Sequence, residues 1–280
     1  MEDKNIQIQW FPGHMTKTLR QMEKSINSID IIVEILDSRI PYSSQNPVLR
    51  KIGKHKNRIY ILNKEDLADE ALTKQWVRNF TDKGAEAISI NTKTNKTKEK
   101  LERFLQDYFD SGKPKIKFGK PRLMFVGVPN VGKSSVINIL FGKNIAKAED
   151  RPGVTRGKQW FTTDQYELLD MPGVLWPKFE TTTIGYNLAF TGAIRDDVFD
   201  VEEVASSLLK ELSLIYPKNL SERLGITVSE DMKGYDLLVA YAQNRHFLIK
   251  GGEYDTERAA KAALYDLRNG KLGRITFEQP

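Results

Sequence analysis

Met15, Leu19, Met22, Ile26 and Ile29 recur at steps of four and three, a spacing that lines one face of a helix. The period then shortens. "IDIIVEILD" (29–37), "RIYILN" (58–63) and "AEAISIN" (85–91) are apolar, β-branched runs separated by segments of helical character, and residues 97–109 read as a further helix. Buried strands alternating with helices predict a mostly parallel sheet with crossover helices on its faces. Residues 110–122, "DSGKPKIKFGKPR", break the pattern with the Gly, Pro and Lys content of a linker. Beyond it "RLMFVGV" (122–128) predicts a strand, residues 133–141 a helix, and "QWFTTD" (159–164) and "YELLDMPG" (166–173) two more strands. Past about residue 180 only helical spacing is left: Val201, Val204, Leu208 and Leu212, then Leu237, Leu238, Tyr241 and Ala242, then a helix capped by Asp255 that runs to Asn269 and stops at Gly270. The expectation is an α/β domain over residues 1–180 followed by a small all-α domain over 181–280.

Composition narrows the class. The chain has 280 residues, 40% hydrophobic and 10% aromatic, enough for two folded cores. It has no cysteine, which excludes disulfides and thiolate zinc sites and agrees with a reducing, cytoplasmic setting. The opening "MEDKNIQIQW" lacks the basic and apolar regions of a signal peptide, and no segment reaches eighteen uncharged apolar residues, so no membrane partner is expected. The net charge of +6 is modest, but two clusters carry no acid: Arg50, Lys51, Lys54, Lys56 and Arg58, and Lys113, Lys115, Lys117, Lys120 and Arg122. Each alone reads as a solvated surface; together they point to a polyanion, RNA first. Residues 245–274 add Arg245, Lys250, Arg258, Lys261, Arg268, Lys271 and Arg274 as candidate phosphate contacts.

The chemistry begins with "GVPNVGKS", which matches G-x-x-x-x-G-K-[ST] after a predicted strand and before a predicted helix. Glycines let the amides of such a loop, here Asn130, Val131, Gly132, Ser134 and Ser135, face a phosphate; Lys133 reaches the β and γ phosphates and Ser134 offers its hydroxyl to Mg²⁺. A chain of this length matches the bare pattern by chance about once in a hundred. The base is read elsewhere. "NKED", Asn63, Lys64, Glu65 and Asp66, follows the strand "RIYIL", and a carboxylate at Asp66 can accept from N1 and the exocyclic amine of guanine, whereas adenine offers it no such pair. On its own the tetrapeptide is most often a helix-capping turn; its place at the carboxyl edge of a strand favours the ligand. Asn91 and Thr92 in "SINTKT" stand where a backbone amide would meet the guanine O6. In "DMPG" Asp170 would hold Mg²⁺ through a water and the Gly173 amide would meet the γ phosphate, and in "RPGVT" Thr155 would close over both.

The order of these elements is base, base, phosphate, switch, switch, the usual GTPase order rotated, and it resembles the circularly permuted GTPases. Within that group "QWFPGHM", "DSRIP" (37–41), "NKED", "GVPNVGKSS", "DRPGVT", "DMPGVLWPKFE" and "GRITFEQP" look like the bacterial ribosome biogenesis GTPase A family (YlqF/RbgA) over essentially the whole chain. The resemblance implies a circularly permuted P-loop GTPase domain followed by a helical RNA-binding domain. It implies a cytoplasmic, monomeric enzyme that hydrolyses GTP with Mg²⁺ and acts late in assembly of the large (50S) ribosomal subunit. Its partners would be large-subunit precursors, 23S rRNA and ribosomal proteins.

Val174 occupies the position after the second switch glycine where many GTPases carry a water-orienting glutamine, and an apolar side chain cannot polarise water. Either a partner supplies that group or another residue of the chain does. His14, at a predicted helix start, is the candidate catalytic residue, a role the family's own histidine suggests; the alternative is a capping or core histidine. Asn130 is a candidate K⁺ ligand, with a structural asparagine as the alternative. Two other function classes stay open, a GTPase acting on a different RNA or ribonucleoprotein and an RNA-binding protein with a passive GTP site.

Overall fold

The computed structural model describes residues 10–116, 119–142 and 158–280. They form two compact units, one of Trp10–Lys178 with Glu278–Pro280, the other of Phe179–Phe277. The sequence pattern put 181–280 together in one domain; Glu278–Pro280 instead join the first unit.

The first unit is built on six strands: β1 (Ile31–Asp37), β2 (Asn57–Asn63), β3 (Glu86–Ser89), β4 (Arg122–Gly127), β5 (Gln159–Thr162) and β6 (Glu167–Asp170). Their order in the sheet is β3-β2-β1-β4-β6-β5. All neighbours are parallel except β5, which runs antiparallel to β6 at the edge. The chain therefore runs outward from the middle through β1, β2 and β3, crosses back, and continues from β4 to the other edge. Parallel strands covered on both faces read as unbroken apolar runs, and every residue of β1 is buried. Helices α1 (Gly13–Ser25), α2 (Pro47–Ile52), α3 (Glu70–Asp82), α4 (Thr97–Asp110) and α5 (Lys133–Phe141) connect or flank the strands. On one face Trp76 and Phe80 of α3 pack on Tyr60 and Leu62 of β2, with the Tyr60 and Phe80 rings stacked at 4.4 Å.

The second unit is all helical: α6 (Thr182–Phe190), α7 (Val201–Ile215), α8 (Pro217–Leu224), α9 (Gly234–Asn244) and α10 (Thr256–Arg268). Asp255 caps α10 as its sequence predicts, accepting from the Arg258 amide at 2.9 Å. A buried carboxylate, Asp266, is held by Arg223 and by the Tyr241 hydroxyl, so its charge is paired rather than stranded. Arg268 corrects the sequence expectation of a phosphate contact. Its guanidinium donates to Asp196 at 2.7 and 2.8 Å and to the carbonyls of Ala189 and Phe190 at 2.8 and 3.0 Å, which commits it to holding the end of α6. Among the described residues no helix is long and apolar enough to cross a membrane.

One residue links sheet, helix and loop. Asn46 caps α2, accepting from the Val48 and Leu49 amides at 2.9 and 3.4 Å, with Pro47 in the first turn where no amide is needed. Its Nδ2 donates to the Val174 carbonyl at 2.9 Å, and its amide donates to the buried Glu34 of β1 at 3.2 Å. Asn46→Ala removes the cap and strands a buried carbonyl, and is expected to cost about 2–4 kcal/mol in urea unfolding. Asn46→Asp keeps the cap acceptor but not the donor to Val174 and should fall between Ala and the unaltered chain.

Candidate nucleotide site

The loops after β1, β2, β3, β4 and β6 all leave the same edge of the sheet, because these strands are parallel. In a sheet of this kind a ligand sits at the carboxyl edge where the strand order reverses, and here that point lies between β1 and β4. β1 and β4 come very close there: a Cβ on Gly127 would lie 2.6 Å from the Ile35 carbonyl oxygen, so only glycine lets the phosphate loop start at this depth.

The loop from Gly127 to Ser135 turns through two left-handed residues, Asn130 (φ 59°) and Gly132 (φ 87°), and enters α5 at Lys133. A Cβ on Gly132 would run into the Asn63 side-chain amide. Val131 is buried, while Ser134 and Ser135 are half-buried in the first turn of α5, where the free amides of a helix start favour an anion. Lys133 lies almost wholly inside and pairs with Asp170 at the end of β6. The other Asp170 oxygen, Oδ2, is buried with no hydrogen-bond partner. Burial pushes the Asp170 carboxyl up, and Lys133 opposes that shift without cancelling it. A buried carboxylate oxygen left bare is costly, and a water carried by Mg²⁺ is a donor that fits it. The residues present therefore fit Mg²⁺, which Ser134 and Asp170 would hold.

The tetrapeptide "NKED" lies against this loop. Asn63 is buried, and its Nδ2 donates to the Val131 carbonyl at 2.8 Å; its Oδ1 has no partner. Lys64 adopts a left-handed conformation (φ 63°) and donates to the Asn130 carbonyl at 2.6 Å. The same ammonium pairs with Asp37 at 3.0 Å. Asp37, at the end of β1, is also bound through both oxygens by Arg39 at 2.9 and 2.7 Å. Its burial would raise the carboxyl, but the two cations outweigh it and hold it well below the usual range. These two residues are the part of the site that sequence reasoning missed. "DSRIP" was legible as a family signature, yet an acid two positions before an arginine is the spacing of a local ion pair, and that signal was there to read.

Asp66 sits at the mouth, less buried than Asp37, and accepts from Lys93 at 3.0 Å. Asn91 Oδ1 accepts from the Lys93 amide at 2.9 Å, so Lys93 links the turn at Asn91 to the Asp66 carboxylate. Glu65 braces this corner from below: its amide donates to the Ile90 carbonyl at 3.1 Å and its carboxylate accepts from Ser89 Oγ at 2.6 Å. Lys93 is a further charged residue of the mouth that the motifs did not mark.

Gly173 backs directly onto the phosphate loop, where a Cβ would come within 2.9 Å of Pro129 Cα. Val174 is fully buried; its amide donates to the Gly127 carbonyl at 3.2 Å, so its side chain serves the core. Thr155 lies outside the described residues. His14 is exposed in the first turn of α1. That helix has Pro12 at its N-cap and no side-chain cap, so His14 is not the capping residue that the sequence left open, nor is it a core one. Its neighbour Met15 is buried, and the Met15 sulfur accepts from the Leu175 amide at 3.4 Å, which ties the start of α1 to the segment that follows Gly173.

Residues 122–218 match the family described as 50S ribosome-binding GTPase. The chain is 44% identical to ribosome biogenesis GTPase A of Bacillus cereus, over 98% of this chain and 94% of that one. It is 30% identical to ribosome biogenesis GTPase A of Thermotoga maritima, over 98% and 95%. The solved structure of GNP-bound YlqF from T. maritima matches with a TM-score of 0.71 at 26% identity, covering 94% of this chain and 98% of that one. GDP-bound YlqF matches with a TM-score of 0.68 at 27% identity. Likeness over nearly its whole length places this chain in the ribosome biogenesis GTPase A family, as a circularly permuted enzyme that binds guanine nucleotide and hydrolyses GTP.

Proposed function

We propose that this GTPase acts in a late step of large-subunit assembly, binding immature 50S particles and their 23S rRNA and answering to the state of its nucleotide. What supports the reading most is that the base reader and the phosphate loop are intact and bonded to each other in a chain that matches curated ribosome biogenesis GTPases from end to end. A passive site would have no need to keep both. In this reading Asp66 accepts from guanine, the Lys64 stem lies over the base, and Asn91 and Thr92 meet its O6. The amides from Asn130 to Ser135 and the Lys133 ammonium hold the phosphates. Mg²⁺, when bound, neutralises charge on the β and γ phosphates; Ser134, Thr155 and Asp170 would hold it, Asp170 through water. Asn130 is the residue to which K⁺ would bind, and turnover in KCl against NaCl tests that assignment.

Val174 is committed to the core, so water must be oriented by a group outside the second switch. His14 is the residue that the reading assigns, since it is exposed, caps nothing, and starts the helix whose next residue contacts the segment after Gly173. The helical unit supplies RNA contacts through Arg245, Lys250, Arg258, Lys261, Lys271 and Arg274. Arg258 is stacked on the Phe247 ring at 4.4 Å, a geometry that leaves the edge of its guanidinium for phosphate.

Asp66→Asn is expected to weaken GTP by about tenfold to a hundredfold and to improve xanthosine triphosphate, whose carbonyl replaces the 2-amine. Competition against a fluorescent guanine nucleotide checks this, and unchanged GTP affinity would refute the base reader. His14→Ala should keep GTP affinity and particle binding, and lose about two to four powers of ten in single-turnover hydrolysis on 50S particles. Its melting curve should barely move, as expected for an exposed side chain; a normal single-turnover rate would refute the catalytic role. Particle affinity should fall with salt, and Lys250→Ala or Lys261→Ala should each flatten the log-log slope by about 0.9 or less. A slope unchanged in both variants would remove these residues from the interface.

A further inference from the structure

The segment Glu278–Pro280 belongs with the sheet unit, and its place there is specific. The Glu278 carboxylate accepts from the Tyr42 amide at 2.6 Å, from the Ser43 amide at 3.0 and 3.2 Å, and from the Ser43 hydroxyl. Successive amides with a hydroxyl between them make a small anion cradle, and a carboxylate held by several charge-assisted bonds is strongly localised. The Glu278 main-chain carbonyl meanwhile accepts from the Trp76 indole at 3.0 Å. Glu278 thus joins the loop that follows β1 to the helix α3 that follows "NKED".

That loop, residues 38–46, is where the parts of the nucleotide site converge. The hydroxyl of Ser44, the next residue after the cradle, accepts from the Asp37 amide at 3.1 Å. Asp37 holds Lys64, which holds the phosphate loop. At the other end of the loop Asn46 donates to the carbonyl of Val174, directly after the switch glycine. A carboxylate clamping residues 42 and 43 therefore restrains a stretch that touches the base reader on one side and the second switch on the other.

We propose that Glu278 is a positioning residue for the guanine pocket: by clamping the loop after β1 to α3 it holds the Asp37–Lys64 pair in place and slows nucleotide release. The inference rests on the assignment of "NKED" as the base reader. It requires no contact between Glu278 and the nucleotide, only that the loop be held, so its effect is expected in the dissociation rate.

The test is stopped-flow release of a fluorescent GDP analogue from the full chain, well below its melting temperature. Glu278→Ala should speed release about tenfold, within the range by which residues remote from a ligand alter coupling. Glu278→Gln, which keeps an acceptor oxygen but not the charge, should fall between. Ser43→Ala removes only the hydroxyl and should speed release less, which keeps the idea testable if Glu278→Ala folds poorly. A lowered melting temperature in Glu278→Ala with release rates equal to those of the unaltered chain would overturn the proposal, because it would make Glu278 a structural clamp alone. The two readings fail separately. If Asp66→Asn leaves base selectivity unaltered, the base reader is wrong; if it shifts selectivity while Glu278→Ala and Ser43→Ala release GDP normally, only the positioning role falls.

Discussion

Two side chains from one strand end, Asn63 and Lys64, donate to two carbonyls of the phosphate loop, at Val131 and Asn130. The rest of the nucleotide site depends on this brace. In the proposed reading a base reader and a phosphate holder separated in sequence have to be fixed at the spacing of one nucleotide, and loops alone would wander. Side-chain donors to backbone carbonyls fix the distance at a cost of little chain entropy, because Asn63 ends β2 and Lys64 follows it directly. The brace also explains the left-handed residues. Lys64 and Asn130 both sit at positive φ where they meet, and Gly132 must be glycine because the Asn63 amide occupies the space of its Cβ. Strain at Lys64 and Asn130 persists because the contacts around them determine the backbone.

The brace is also why the order of the chain can be rotated without harm. It joins side chains to backbone across the sheet and makes no demand on which segment comes first. The reversal between β1 and β4 opens the same crevice whether the phosphate loop opens the chain or comes after the base reader.

Much of this was legible in the residues. Helix α5 could be drawn from the motif alone, since the phosphate loop fixes where its helix must begin, and β1, β2 and β4 from runs buried on both faces. Asp255 announced its helix because capping is a local interaction. What stayed hidden involves partners distant in sequence. Nothing near Arg268 says that Asp196 and two carbonyls of α6 will claim it, so a count of basic residues placed it on the RNA face. Nothing near Glu278 says that its carboxylate will close on residues 42 and 43. Asp37 and Arg39 were an intermediate case, with a local spacing that could be read but a burial that could not. His14 moved the other way: the helix it begins has no side-chain cap, which removes the structural role that a lone histidine usually fills.

The buried pair of Lys133 and Asp170 bears on how the pocket accepts a polyanion. Lys133 already has a counter-ion inside the protein, so the protein does not carry a bare cation in a closed space. In the proposed site, entry of a nucleotide with its metal would be an ion exchange: Lys133 would turn from Asp170 to phosphate oxygens, and Asp170 would be left to hold a hydrated metal. Each of the two side chains would meet its next partner as it left the last, so neither would be left bare while the net anion entered. Such a pocket would discriminate by whether both exchanges can be completed together, which a phosphate chain without its metal would not allow.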